Sequence, residues 1–129
     1  MRKLILSLLS VCGLVSGCKT HKTVVVLEPE EFITAMQGDS MAVLLDVRRP
    51  SEYAEGHIKN AVNLDWLDSA RFNEGLLSID KKHTYYIYCR SGRRSNAAAI
   101  RMQEAGYRVF DMKGGVLQWK ALGMPLVIE

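Results

Sequence analysis

Apolar residues in this chain cluster in short unbroken runs, and the runs alternate with stretches of helical spacing. Met41 to Leu45 and Thr84 to Tyr88 lack polar alternation, the mark of strands buried on both faces of a parallel sheet. Thr23 to Leu27, Val62 to Leu64 and Tyr107 to Met112 read as further strands. Between them, Glu28-Pro29-Glu30-Glu31 opens a helix, with proline and acidic residues in its first turn, and Gly38-Asp39 closes it. Ser51 to Ala54 is a short helix stopped by Gly56. Asp65 to Leu77 reads as two short helical pieces interrupted near Asn73 and Gly75. Arg93 to Ala105, rich in alanine and ended by Gly106, is the strongest helix. Gly114-Gly115 is a turn, Val116 to Leu122 a last helix, and Leu126 to Ile128 a tail. No Asn-Gly or Asp-Gly hairpin signal separates the strands. The pattern predicts an α/β domain with a mainly parallel central sheet flanked by helices.

The first 17 residues change the picture. Arg2 and Lys3 precede an apolar run from Leu4 to Val15, with small residues at Ser16 and Gly17. This is the architecture of a secretory signal, too short to span a membrane. Val15-Ser16-Gly17-Cys18 resembles the lipobox of bacterial lipoproteins, which implies cleavage before Cys18 and a lipid on its thiol. Residues 1–17 are therefore expected to be a leader, 18–23 a tether and 24–129 the folded domain. The expected location is the extracytoplasmic side of the cell envelope, anchored to a membrane through Cys18. Lys19 stands where an aspartate would signal inner-membrane retention in a Gram-negative host, which favours the outer membrane.

Of 17 lysines and arginines two leave with the leader, so 15 face 14 acidic residues, a formal charge of +1. Bulk charge therefore gives no reason to expect a nucleic-acid partner. Of three cysteines, Cys12 leaves with the leader and Cys18 takes the lipid, so Cys89 is left as a single thiol with no partner for a disulfide. No Cys-x-x-Cys or His-x-x-x-His spacing supports a metal site, and no cofactor is expected.

The densest chemistry lies at Cys89-Arg90-Ser91-Gly92-Arg93-Arg94-Ser95, between a buried strand and the strongest helix. Strand, tight loop and helix start gather backbone N–H groups around one point, and such a cradle suits anions and thiolates. A helix start is worth about 0.3–1 kcal/mol to a negative charge and about 2 when partly buried. That is about one pKa unit at most, so loop amides and guanidiniums must supply the rest of any activation. Arginine cannot act as a base, and no histidine adjoins Cys89 in sequence, although His57 can approach in space. Cys89 is the candidate nucleophile. Arg90, Ser91, Gly92, Arg93, Arg94 and Ser95 are the candidate anion site, and Asp46, Arg48 and His57 are candidate supports. Trp66 and Trp119 read as core. A nucleophile within an anion site fits either phosphate-ester hydrolysis through phosphocysteine or sulfur transfer through a persulfide.

Three stretches together resemble the single-domain rhodaneses, the thiosulfate sulfurtransferase family. They are Leu44 to Ala61, Tyr88 to Ser95, and Gly114-Gly115-Val116 with Trp119. The resemblance implies a three-layer rhodanese-like domain, a small anionic sulfur donor, and cyanide or a thiol as acceptor. Cys89 would carry the sulfur as a persulfide, with loop amides turned toward it. It leaves a low-turnover persulfide carrier or a binding module as the alternative. Related phosphatases carry arginine six positions after the cysteine. Here Arg94 is five positions on and Ser95 the sixth, so the cradle is one residue short for phosphate.

Overall fold

The computed structural model describes residues 23–129; the leader, Cys12 and Cys18 lie outside them. Five strands and five helices alternate. They are β1 (Val25–Leu27), α1 (Pro29–Gln37), β2 (Ala42–Asp46), α2 (Pro50–Glu55) and β3 (Val62–Asn63), then α3 (Ser69–Ser78), β4 (Thr84–Tyr88), α4 (Arg93–Glu104), β5 (Arg108–Met112) and α5 (Gly115–Ala121). The strands form one sheet in the order β1-β5-β4-β2-β3, and every pairing is parallel.

β4 lies at the centre of the sheet, and all five of its residues are buried. Strand alternation sends its side chains into two cores. Tyr85 and Ile87, followed by Cys89, pack with Phe72 and Leu76 of α3 and with Ala98, Ala99 and Met102 of α4. Tyr86 and Tyr88 pack on the other face with Phe32 of α1 and Val116 and Trp119 of α5. The result is three layers, helix on sheet on helix. The alanines of α4 let its axis approach the sheet closely around Cys89.

α3 departs from the sequence reading. It is one continuous helix, not two pieces broken at Asn73 and Gly75. A Cβ on Gly75 would stand 2.5 Å from Leu64 Cδ1, so the missing side chain is what seats the helix against Leu64. The glycine that costs helix propensity is retained by packing. α3 also has its start defined by Asp68, whose carboxylate accepts the Arg71 amide at 3.1 Å. The C-terminal tail is also more than a tail. His57 and Val127 exchange backbone hydrogen bonds of 2.9 and 2.8 Å in an antiparallel bridge, which ties the chain end to the turn after α2.

Candidate active site

Parallel sheets present loops at the carboxyl ends of their strands. Cys89 sits at that end of β4, fully buried, and its Sγ accepts a hydrogen bond from the Gly92 amide at 3.1 Å. Gly92 makes this possible with a left-handed backbone, φ 98°, as the residue capping the start of α4. Its carbonyl accepts the Asn96 amide at 3.1 Å and the Ser95 hydroxyl at 3.3 Å. The loop is thus tied to the first turn of α4. The amides of that turn have no intrahelical acceptor and point out of its N-terminal end.

From below, the start of α5 supports the loop. The Val116 amide donates to the Cys89 carbonyl at 2.9 Å, and the Leu117 amide to the Arg90 carbonyl at 3.0 Å. Gly115 has φ 56°, and a Cβ there would stand 2.5 Å from backbone atoms of both Cys89 and Arg90. Only glycine lets these two segments touch.

The arginines of the loop separate into two kinds. Arg90 and Arg93 are exposed at the mouth. Arg94, grouped with them in the sequence, has its guanidinium forked onto Glu52 of α2 at 2.6 and 2.9 Å. That hydrogen-bonded pairing holds Glu52 below the ordinary carboxylate range and makes Arg94 harder to deprotonate. Glu52 Oε1 also accepts the Arg49 amide at 3.3 Å, so one carboxylate both caps α2 and anchors the loop helix. Sequence reasoning missed Glu52. The only signal for it was an acidic residue in a first turn, and its partner is 42 positions away. Ser91 is exposed, whereas Ser95 is buried with its hydroxyl engaged by the loop backbone.

The three candidate supports form a frame beside the loop. Asp46 and Arg48, both buried, pair side by side, with Arg48 Nη2 at 2.7 Å from Asp46 Oδ2 and at 2.7 Å from the Gly56 carbonyl. Burial works against the Arg48 charge, and the Asp46 carboxylate more than offsets it, so the guanidinium holds its proton firmly. The Val47 amide donates to the Tyr88 carbonyl at 3.0 Å, next to Cys89 in the chain. Tyr88 accepts the Ile58 amide on its hydroxyl at 3.0 Å, and burial together with the Asp46 charge drives its ionisation far above the ordinary range. His57 is buried and stacked on Tyr53 at 3.7 Å between ring centroids. Its Nδ1 lies 3.0 Å from the Tyr53 carbonyl, which can only accept, so the proton is on Nδ1. The hydrogen bonds of His57 go to Tyr53 and Val127, which makes it part of the turn rather than a base for the thiol.

The arrangement is a buried sulfur at a strand end, facing an amide and a helix start, with the exposed guanidiniums of Arg90 and Arg93, unpaired among the described residues, at the rim. It can hold negative charge on sulfur and draw in an anionic reactant.

The Rhodanese-like domain family matches residues 28–122. The chain belongs to the rhodanese-like family. This rhodanese domain is 39% identical over 103 residues to a sulfurtransferase of Allochromatium vinosum, covering 78% of this chain and 92% of that one. It is 33% identical over 103 residues to the tRNA uridine(34) hydroxylase of Cytophaga hutchinsonii, covering 78% of this chain but only 33% of that enzyme. Among solved structures, the rhodanese-related protein of Thermoplasma volcanium superposes with a TM-score of 0.72 at 26% identity, covering 81% of this chain and 99% of that one. The rhodanese fold and membership of a sulfur-transferring family follow.

Proposed function

We propose that this rhodanese domain moves a sulfane sulfur from thiosulfate, or a similar anionic donor, to cyanide or a thiol through a Cys89 persulfide. The observation that carries the reading is the Gly92 amide held 3.1 Å from Cys89 Sγ inside the family's loop. The Cys89 thiolate attacks the outer sulfur of thiosulfate. A Cys89–sulfur bond forms, the sulfur–sulfur bond of the donor breaks, and sulfite leaves with the electron pair. Cyanide then attacks the terminal sulfur of the persulfide, thiocyanate departs and the Cys89 thiolate is restored. A thiol acceptor takes the same sulfur and becomes a persulfide. Covalent transfer in two steps implies ping-pong kinetics. Amides around the sulfur stabilise both anionic forms, and Arg90 and Arg93 raise the local donor concentration.

The test is sulfite release from thiosulfate with cyanide as acceptor, together with intact mass after thiosulfate alone. Wild type should turn over and gain the mass of one sulfur atom, and Cys89→Ser should do neither. A domain that gains the sulfur but turns over no faster than Cys89→Ser is a persulfide carrier. An unchanged mass at full donor excess defeats persulfide chemistry.

We further propose that residues 1–17 are a cleaved leader and that a lipid on Cys18 holds the domain to a membrane on the extracytoplasmic side, the outer membrane in a Gram-negative host. Among the described residues no helix is long and apolar enough to cross a membrane. Cys18→Ala should abolish both cleavage and the lipid mass. A lipid mass that survives the substitution removes the anchor.

A further inference from the structure

One buried group near the sulfur has no part in the chemistry so far. Asp111, near the end of β5, is only 2% exposed. Its Oδ1 is the one buried side-chain oxygen among the described residues with no hydrogen-bond partner. Its Oδ2 has a single long contact, 3.5 Å, from Asn96 Nδ2. A carboxylate in such a place bears nearly the full cost of lost hydration.

Among the described residues no cation pairs with it. Across the sheet Asp111 pairs with Ile87 of β4 on one side and Val26 of β1 on the other. From α4 it meets the Ser95 hydroxyl and the Asn96 amide, and its own strand adds only the Met112 amide. The nearby cations are engaged elsewhere or exposed. Arg94 is on Glu52, Lys113 reaches Glu28 at 3.2 Å, and Arg93 and Arg108 are at the surface. Cys89 is the titratable group on the same face, two residues beyond Ile87. Burial outweighs the donors on Ser95, Asn96 and Met112 and pushes the Asp111 carboxyl up to about 6.

We propose that Asp111 is a positioning residue for Cys89: a buried carboxyl behind the loop, without a charged partner, whose own charge opposes negative charge on the sulfur. The neutral acid has an O–H to donate, whereas the carboxylate leaves Oδ1 an acceptor with no donor. Its neighbour Ser95 is bonded to the Gly92 carbonyl, and Gly92 gives its amide to the sulfur. Protonated Asp111 thus supports the chain of contacts that holds the anion, and ionised Asp111 opposes the anion directly. The role deepens the sulfur-transfer reading, because it matters only if Cys89 works as an anion.

Alkylation of Cys89 by iodoacetamide, followed on the full chain by mass spectrometry of the Cys89 peptide, tests this without requiring any sulfur transfer. Asp111→Asn keeps the shape and removes the charge. Sheet spacing puts the two groups about 8 Å apart, which at an effective dielectric of about 20–40 is a factor on the order of ten. The ratio of variant to wild-type rate should be near one at about pH 5 and rise to about tenfold by about pH 8, as wild-type Asp111 ionises. A ratio that is flat or falls with pH, whatever its size, overturns the proposal, since a purely structural brace would shift the rate equally at every pH. Should Asp111→Asn not fold, wild type serves. The carboxyl titration, followed by infrared, should have a higher midpoint when Cys89 is capped by iodoacetate than by iodoacetamide, and equal midpoints overturn it. A pH-dependent ratio in a protein that transfers no sulfur would spare the pairing and defeat the sulfur-transfer reading. A flat ratio in an active enzyme would do the reverse.

Discussion

Gly115→Ala should damage this domain far more than its single methyl group suggests. Two effects act at that position. At φ 56° any side chain sits in the left-handed region, which costs about 1–2 kcal/mol. The new Cβ would also stand 2.5 Å from the Arg90 carbonyl group and the Cys89 carbonyl oxygen, and neither is a flexible side-chain end that can swing away. Forcing an atom into packed surroundings costs about 1–3 kcal/mol. The two segments would part, weakening the Val116 and Leu117 amide bonds, each worth about 1 kcal/mol. Gly123→Ala is the internal control. It shares a positive φ of 74° but has nothing within 4 Å of the new Cβ, so it should lose only the conformational term, about 1 kcal/mol. Urea unfolding followed by circular dichroism should place Gly115→Ala about 2–5 kcal/mol below wild type, with Gly123→Ala well above it. Because the displaced backbone belongs to the cysteine loop, sulfite release should fall by about 100-fold in Gly115→Ala, the size of effect a ~1 Å misplacement produces. Equal stability of the two variants would refute the close-contact reasoning.

Three further outcomes follow from the charges. Asp46→Asn leaves the buried Arg48 guanidinium without its anion and should cost about 3–5 kcal/mol in urea unfolding, against under 1 kcal/mol for an exposed pair. Glu52→Gln frees Arg94 at the mouth, so the thiosulfate KM should fall about 2–5-fold at low salt, with kcat little changed and the gain screened away at high salt; an unchanged KM at low salt would mean that Arg94 does not face the donor. For Asp111, raised from 3.8 to about 6 in the fold, the proton is held more tightly folded than unfolded. Stability from this group is therefore complete below about pH 4 and lost as pH rises through about 6, so Asp111→Asn should gain on wild type across that window, by up to about 3 kcal/mol, in thermal or urea unfolding.

The succession of strands and helices along the chain was legible because buried parallel strands leave unbroken apolar runs and glycines end their helices. The cysteine loop was legible because its residues are contiguous. What stayed hidden depends on pairs far apart in sequence. Gly75 looked like a break until Leu64 filled the space beside it. Three arginines looked alike until Glu52, 42 residues away, took one of them. His57 offered a possible base, and its stacking on Tyr53 and its bridge to Val127 show a different use. Asp111 lies in an ordinary strand, and only the three-dimensional count of donors reveals an oxygen with none.

The central position of β4 decides how this thiol can fail. Strand order β1-β5-β4-β2-β3 puts two neighbours on each side of it, and both faces are covered. Amides in such a strand exchange with deuterium only when the whole domain opens, whereas edges and ends fray freely. The Val116 and Leu117 amides hold the Cys89 and Arg90 carbonyls just past that strand, so the exposure of Cys89 from behind should track global rather than local opening. A frayed β1 or a loosened tail would leave the sulfur as well guarded as before. Oxidants reaching this cysteine other than through the mouth would have to wait for complete unfolding, which leaves the mouth as the route by which the folded domain can lose its thiol.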